Sequence, residues 1–168
     1  LPHFREQRQA VIVVREIENS ITTYLATITL INIVLGGVVG LLMYLLGMPN
    51  PVLWGVLAGV LNYIPYVGPA ATTAILALVA LLTFPELSDA LLPPGLFLLI
   101  TTLEGYVVTP AAVGNRLTLN PLVIFLTLIV WFWMWGVVGA LLTVPLLVCA
   151  KAVLERSHSG TALARILD

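Results

Sequence analysis

The chain has 168 residues, 60% of them hydrophobic and 9% charged, with a formal net charge of −1 and a mean hydropathy of +1.09. Soluble domains carry roughly 25% charged residues, and no charge occurs here from Asn19 through Pro85 or from Leu117 through Ala150. That composition excludes a water-soluble globule and predicts an all-α integral membrane protein, a polytopic helical bundle whose helices satisfy their own backbone in lipid.

The near-neutral charge gives no footprint for nucleic acid. Cys149 is the single cysteine, so no intramolecular disulfide forms. The chain opens on Leu1, with no signal sequence ahead of its first apolar run. It therefore reads as a piece of something longer.

In residues 1–21, Phe4, Val11, Val14, Ile17 and Ile21 recur at helical spacing, with Arg5, Glu6, Arg8, Arg15, Glu16 and Glu18 between them. This predicts an amphipathic helix lying at the bilayer surface, or else a soluble linker helix. Residues 22–150 form the transmembrane domain, expected to hold four to six helical segments or hairpins. Its first span covers 22–46, where Gly36 and Gly40 stand four apart. Gly55 and Gly59 repeat that spacing after the turn at 47–51. Small residues so spaced let two helices approach closely, although glycine is also simply common in membrane helices.

The run from Val52 to Phe84 is too long for one crossing. The stretch NYIPYVGP, residues 62–69, interrupts it with Pro65, Gly68 and Pro69. It is expected to be a discontinuous span, a re-entrant hairpin or a surface loop. Residues 85–94 then read as a polar loop ending in two prolines. A short apolar helix covers 95–108, stopped by Thr109-Pro110, with Gly114 and Pro121 as further breaks.

From Pro121 to Ala150 the chain is again apolar, about 45 Å at helical rise and longer than the core it crosses. Gly136 and Gly139, and Pro145 beyond them, offer a break or a tilt. Trp131, Phe132, Trp133 and Trp135 lie just before those glycines. They mark either a hairpin tip at the water boundary or an aromatic helix interface. The polar tail 151–168, with Lys151, Arg156 and Arg165, is expected on the cytoplasmic side.

Glu104 and Arg116 are the only charges between Asp89 and Lys151. A lone charge at depth costs on the order of 3 kcal/mol on insertion scales. The two lie about 18 Å apart on a straight helix, but a turn near Pro110 and Gly114 folds them together. The expected result is a polar centre of Glu104, Arg116, Asn62, Tyr63, Asn115 and Asn120, in which a carboxylate exchanges a proton or cation. The alternative places the two charges at opposite interfaces, as anchors of helix ends. His3 and His158 have no metal-ligand company, and the sequence holds no nucleophile–base pair, Cys/His cluster or phosphate loop. Neither an enzyme nor a cofactor or metal is expected.

Five stretches in order carry a resemblance: the Gly-rich span, LWGVLAGVLNYIPYVGP (53–69), EGYVVTP (104–110), NRLTLNPLVIFLTLIVW (115–131) and WGVVGALLTVPLL (135–147). Together the chain resembles the AI-2E family of bacterial transporters over nearly its whole length. The resemblance implies export of a small polar solute, with autoinducer-2 as the namesake cargo, from the bacterial inner membrane. Some relatives are associated with sodium–proton exchange, which makes a cation/proton antiporter the second expectation. An oligomeric scaffold or channel-like body without coupled transport is the third. The resemblance also implies a homo-oligomer, a pentamer, and makes this chain the C-terminal half.

Overall fold

The computed structural model describes residues 2–113 and 120–156. Among these every regular element is helical: α1 (Pro2–Leu45), α2 (Pro51–Leu61), α3 (Val67–Thr83), α4 (Leu87–Leu103), a π-helical turn (Glu104–Val108), α5 (Thr109–Val113) and α6 (Pro121–Arg156). Three stretches are long and apolar enough to cross a membrane: Ile21–Leu45, Leu87–Ala112 and Pro121–Lys151. The chain divides into two compact units, Ile28–Arg116, and Leu1–Thr27 with Leu117–Asp168.

In the first unit, α1 ends in a Schellman motif. Gly47 takes φ 75°, its N–H donates to the Tyr44 carbonyl at 3.1 Å, and the Met48 N–H donates to the Met43 carbonyl at 2.9 Å. Asn50, also left-handed, and Pro51 at the first helical position then open α2. The Trp54 indole donates to the Pro49 carbonyl at 2.8 Å and pins that turn. The tight reversal returns α2 antiparallel along α1.

The core of this unit draws on four helices: Leu35, Val39 and Met43 of α1, Trp54 and Ala58 of α2, Leu76 and Ala80 of α3, Ala90 and Phe97 of α4. The outward faces stay apolar, as at Leu30, Ile33, Leu41 and Leu82, the pattern of a surface meant for lipid rather than water.

Two expectations for α4 are corrected. Residues 87–94 are not loop, since α4 begins at Leu87 and carries Pro93 and Pro94 inside it. Both prolines are buried with Ala90 and Phe97 on the packed face, and that burial offsets the two missing ladder donors. Nor does the helix stop at Thr109-Pro110. The Thr109 N–H donates to the Glu104 carbonyl in the wider π register, and the helix continues through Pro110 into α5. A proline lacks the N–H the α ladder needs, and a π turn just before it absorbs the shift.

In the second unit, α6 opens on Asn120, whose Oδ1 accepts the Leu122 N–H at 2.9 Å, with Pro121 at the first helical position. The helix breaks once, at Gly136 (φ 62°, ψ −141°), a conformation essentially reserved for glycine. Beyond it the chain doubles back so sharply that a Cβ on Gly139 would overlap the Trp131 carbonyl. Eight residues of straight helix would hold those positions about 12 Å apart. Gly139 is therefore not a second break; it makes room for the first.

Candidate ion and solute site

Glycine sets the site's geometry. A Cβ on Gly36 would stand 2.7 Å from the Gly55 carbonyl oxygen, one on Gly55 2.5 Å from the Gly36 oxygen, and one on Gly59 2.8 Å from the Asn32 oxygen. Gly40 faces the Pro51 carbonyl and Gly55 in the same way. Backbone meets backbone along the whole stripe, so α1 and α2 approach as closely as helices can. At the end of the stripe Asn32, one turn before Gly36, is brought against Asn62, just past Gly59.

Residues 62–66 form the gap between α2 and α3. Pro65 lies inside it, and the strained residue is Tyr66, at φ 62°. Gly68 and Pro69 were expected to break the helix, but both belong to the first turn of α3, where proline loses no needed bond. Gly68 takes no unusual dihedral. It matters because any Cβ there would overlap the Leu61 carbonyl, and the bend between the two arms closes only without one.

The bend presents two polar side chains to α1. The Tyr63 hydroxyl hydrogen-bonds the Thr29 hydroxyl at 2.8 Å. The Asn62 Nδ2 donates to Asn32 Oδ1 at 2.8 Å and to Glu104 Oε2 at 3.4 Å. The other carboxylate oxygen, Oε1, accepts the Thr109 hydroxyl. Positions five apart on an α-helix point about 140° away from one another. The π turn from 104 to 108 lessens that divergence and lets Thr109 reach back to Glu104.

A chain of hydrogen bonds thus runs Asn32–Asn62–Glu104–Thr109 through an apolar body. Asn32 is 3% exposed, and its Nδ2 has no partner. Two members of this polar chain line two different apolar hollows, Asn32 one and Glu104 the other. One, of about 680 Å³, follows the glycine stripe and is lined by Asn32, Gly36, Gly55, Gly59 and Tyr63. The other, of about 360 Å³, is lined by Leu30, Val34, Leu103, Glu104 and Val108.

Of the sequence-predicted site residues, the structure brings together Glu104 and Asn62, with Tyr63 beside them on the bend. Arg116, Asn115 and Gly114 lie outside the described residues, and so does the expected Glu104–Arg116 pairing. Asn120 spends its side-chain oxygen capping α6. Sequence reasoning missed Asn32, Thr29 and Thr109. A signal for Asn32 did exist, since Asn32, Gly36 and Gly40 repeat every four residues on one helix face.

A carboxylate held by neutral donors in a helical membrane body marks a candidate functional site of the kind transporters use. The comparisons agree. The family described as AI-2E family transporter matches residues 1–159, and the chain belongs to that family. It is 37% identical over 150 residues to the AI-2 transport protein TqsA of Escherichia coli K12, covering 89% of this chain and 43% of that protein. It is 35% identical over 147 residues to the putative transport protein YhhT of the same organism, covering 88% and 42%. With the putative transport protein YrrI of Bacillus subtilis it shares 33% over 141 residues, covering 84% and 38%. The chain spans less than half the length of these curated relatives.

Proposed function

We propose that this chain is the ion-coupled core of an exporter for a small polar solute, with Glu104 as the coupling carboxylate. The observation that carries the reading is the part-buried hydrogen-bond chain from Asn32 to Thr109, centred on Glu104. A carboxylate in an apolar body is costly unless used, and here its neighbours are neutral groups that a proton or cation could displace. The relative TqsA, an AI-2 transport protein, supports a quorum-sensing signal as cargo. The reading places the protein in the bacterial inner membrane as a multi-pass homo-oligomer, a pentamer. Its tail is cytoplasmic, residues 2–21, continuous with the first span in α1, extend that span as a linker helix, and the bends at 62–66 and Gly136 serve as re-entrant tips. In the full-length protein reconstituted in vesicles, Glu104→Gln should cut export at least about tenfold, the loss expected when a charged hydrogen-bonding centre is removed. Unchanged export at normal expression would sink the reading.

One observation favours a cation/proton antiporter as the second reading. Among the described residues, Glu104 has hydrogen-bond partners only in Asn62 and Thr109, both uncharged. A carboxylate held by neutral donors is suited to a mobile cation. Sodium-dependent proton movement in vesicles without any added solute would select this reading over export.

A further inference from the structure

The unpartnered donor of Asn32 lies two hydrogen bonds from Glu104, through Asn62, and the two facts explain each other. An ionised carboxylate only accepts hydrogen bonds, so the amide facing Glu104 must present its nitrogen. Asn62 Nδ2 does so, with one hydrogen toward Glu104 Oε2 and the other toward Asn32 Oδ1. That arrangement turns the Asn32 nitrogen away, buried with nothing to bond. A buried orphan N–H is rare and costs free energy.

Neutralising Glu104 reverses every preference. A protonated carboxyl has a hydroxyl to donate, and a carboxylate-bound sodium ion needs another oxygen ligand. With the proton or the ion on Oε2, the oxygen that faces Asn62, either one takes an oxygen from Asn62. A half-turn of its amide places Oδ1 where Nδ2 stood, with two lone pairs in place of two hydrogens. One lone pair meets the Glu104 hydroxyl or the ion. The other accepts a hydrogen from Asn32 Nδ2, once that amide has turned as well. The orphan donor is then satisfied, and the unpaired group left on Asn32 is an oxygen, the cheaper one to leave. No backbone atom moves.

We propose that Asn32 and Asn62 form a reversible amide relay that reads the occupancy of Glu104 and reports it to the glycine-stripe hollow, where Asn32 is a lining residue. Asn62 is an ion-binding residue and Asn32 a positioning residue. The proposal rests on the reading of Glu104 as the coupling carboxylate. Within residues 28–113 the other titratable groups are Glu86 and Asp89 at the far end of α4, and Tyr44, Tyr63, Tyr66 and Tyr106. Neither α1 after Ile28 nor α3 contributes a charged side chain.

The test is magic-angle-spinning NMR of the full-length protein in liposomes, with labelled asparagine amides and glutamate carboxyls. The Asn32 and Asn62 signals are assigned by their loss in Asn32→Val and Asn62→Val, and the Glu104 signal by its loss in Glu104→Gln. One arm lowers pH without sodium, and the other adds sodium at fixed alkaline pH. The arm that moves the Glu104 carboxyl identifies the ion. Both amide signals should then shift with the same midpoint, and in Glu104→Gln, which neither ionises nor carries a charge for an ion, both should stop responding in either arm. A Glu104 carboxyl that responds while the Asn32 amide stays still overturns the relay and leaves Glu104 as the ion site. A carboxyl that responds in neither arm overturns both. In transport, Asn32→Val should weaken apparent ion affinity about tenfold while leaving the rate at saturating ion within about twofold, the cost of one lost amide–amide hydrogen bond to Asn62.

Discussion

The molecule bends its helices sharply in two places, and the two bends are built alike but furnished differently. At 62–66 and at Gly136 one strained residue turns the chain: Tyr66 at φ 62° and Gly136 at the same φ. A few residues later a glycine, Gly68 or Gly139, lets the returning arm press on a backbone carbonyl. The first bend carries Asn62 and Tyr63, each hydrogen-bonded to α1. The second is flanked by aromatics, with Trp131 and Trp135 5.0 Å apart and Trp133 85% exposed. Glycine supplies the shape of both bends. Only the side chains at the tip make one of them a site.

That comparison can be broken in graded steps. The largest effect is expected from Gly68→Ala and Gly139→Ala, whose new methyl groups collide with backbone that cannot step aside. Each should destabilise the detergent-purified protein by about 3 kcal/mol, read as a lowered thermal midpoint. Stability unchanged in either would mean that its bend does not close as described. Gly136→Ala should cost about 2 kcal/mol through its dihedral alone, and Gly139→Ala should add little once that bend is already open. A double-mutant cycle measures the difference. Asn62→Leu should lower transport about tenfold by leaving Glu104 short of a donor, whereas Trp133→Leu at the other bend should leave transport alone. Equal losses from the two would erase the distinction drawn here. The smallest effect belongs to Gly37→Ala. Nothing lies within 4 Å of a Cβ there, so the change should stabilise α1 by about 0.5 kcal/mol. Its neighbour Gly36, packed on Gly55, tolerates no such change.

Much of this was legible in the residues. Charge-free runs announced membrane helices, Pro65 announced a gap after α2, and Glu104 stood out as a carboxylate in an apolar stretch. What escaped was where local signals compete with packing. Pro93, Pro94 and Pro110 read as helix stops because proline lacks a donor. They sit inside helices because burial on α4 and a π turn before α5 absorb that loss. Asn32 escaped for another reason: its spacing with Gly36 and Gly40 marks a helix face but does not name a partner thirty residues away.

By itself, then, the sequence determined the solvent the protein lives in, the helical class and the family, since these depend on composition and on the order of short motifs. It also determined that a carboxylate must be dealt with near residue 104. Only the tertiary structure decided how. Two glycine stripes had to meet before Asn32 could face Asn62, and a widened helical turn had to form before Thr109 could face Glu104. Hydrogen bonds depend on distances of a few tenths of an ångström, and those are fixed by packing between elements rather than by any one of them.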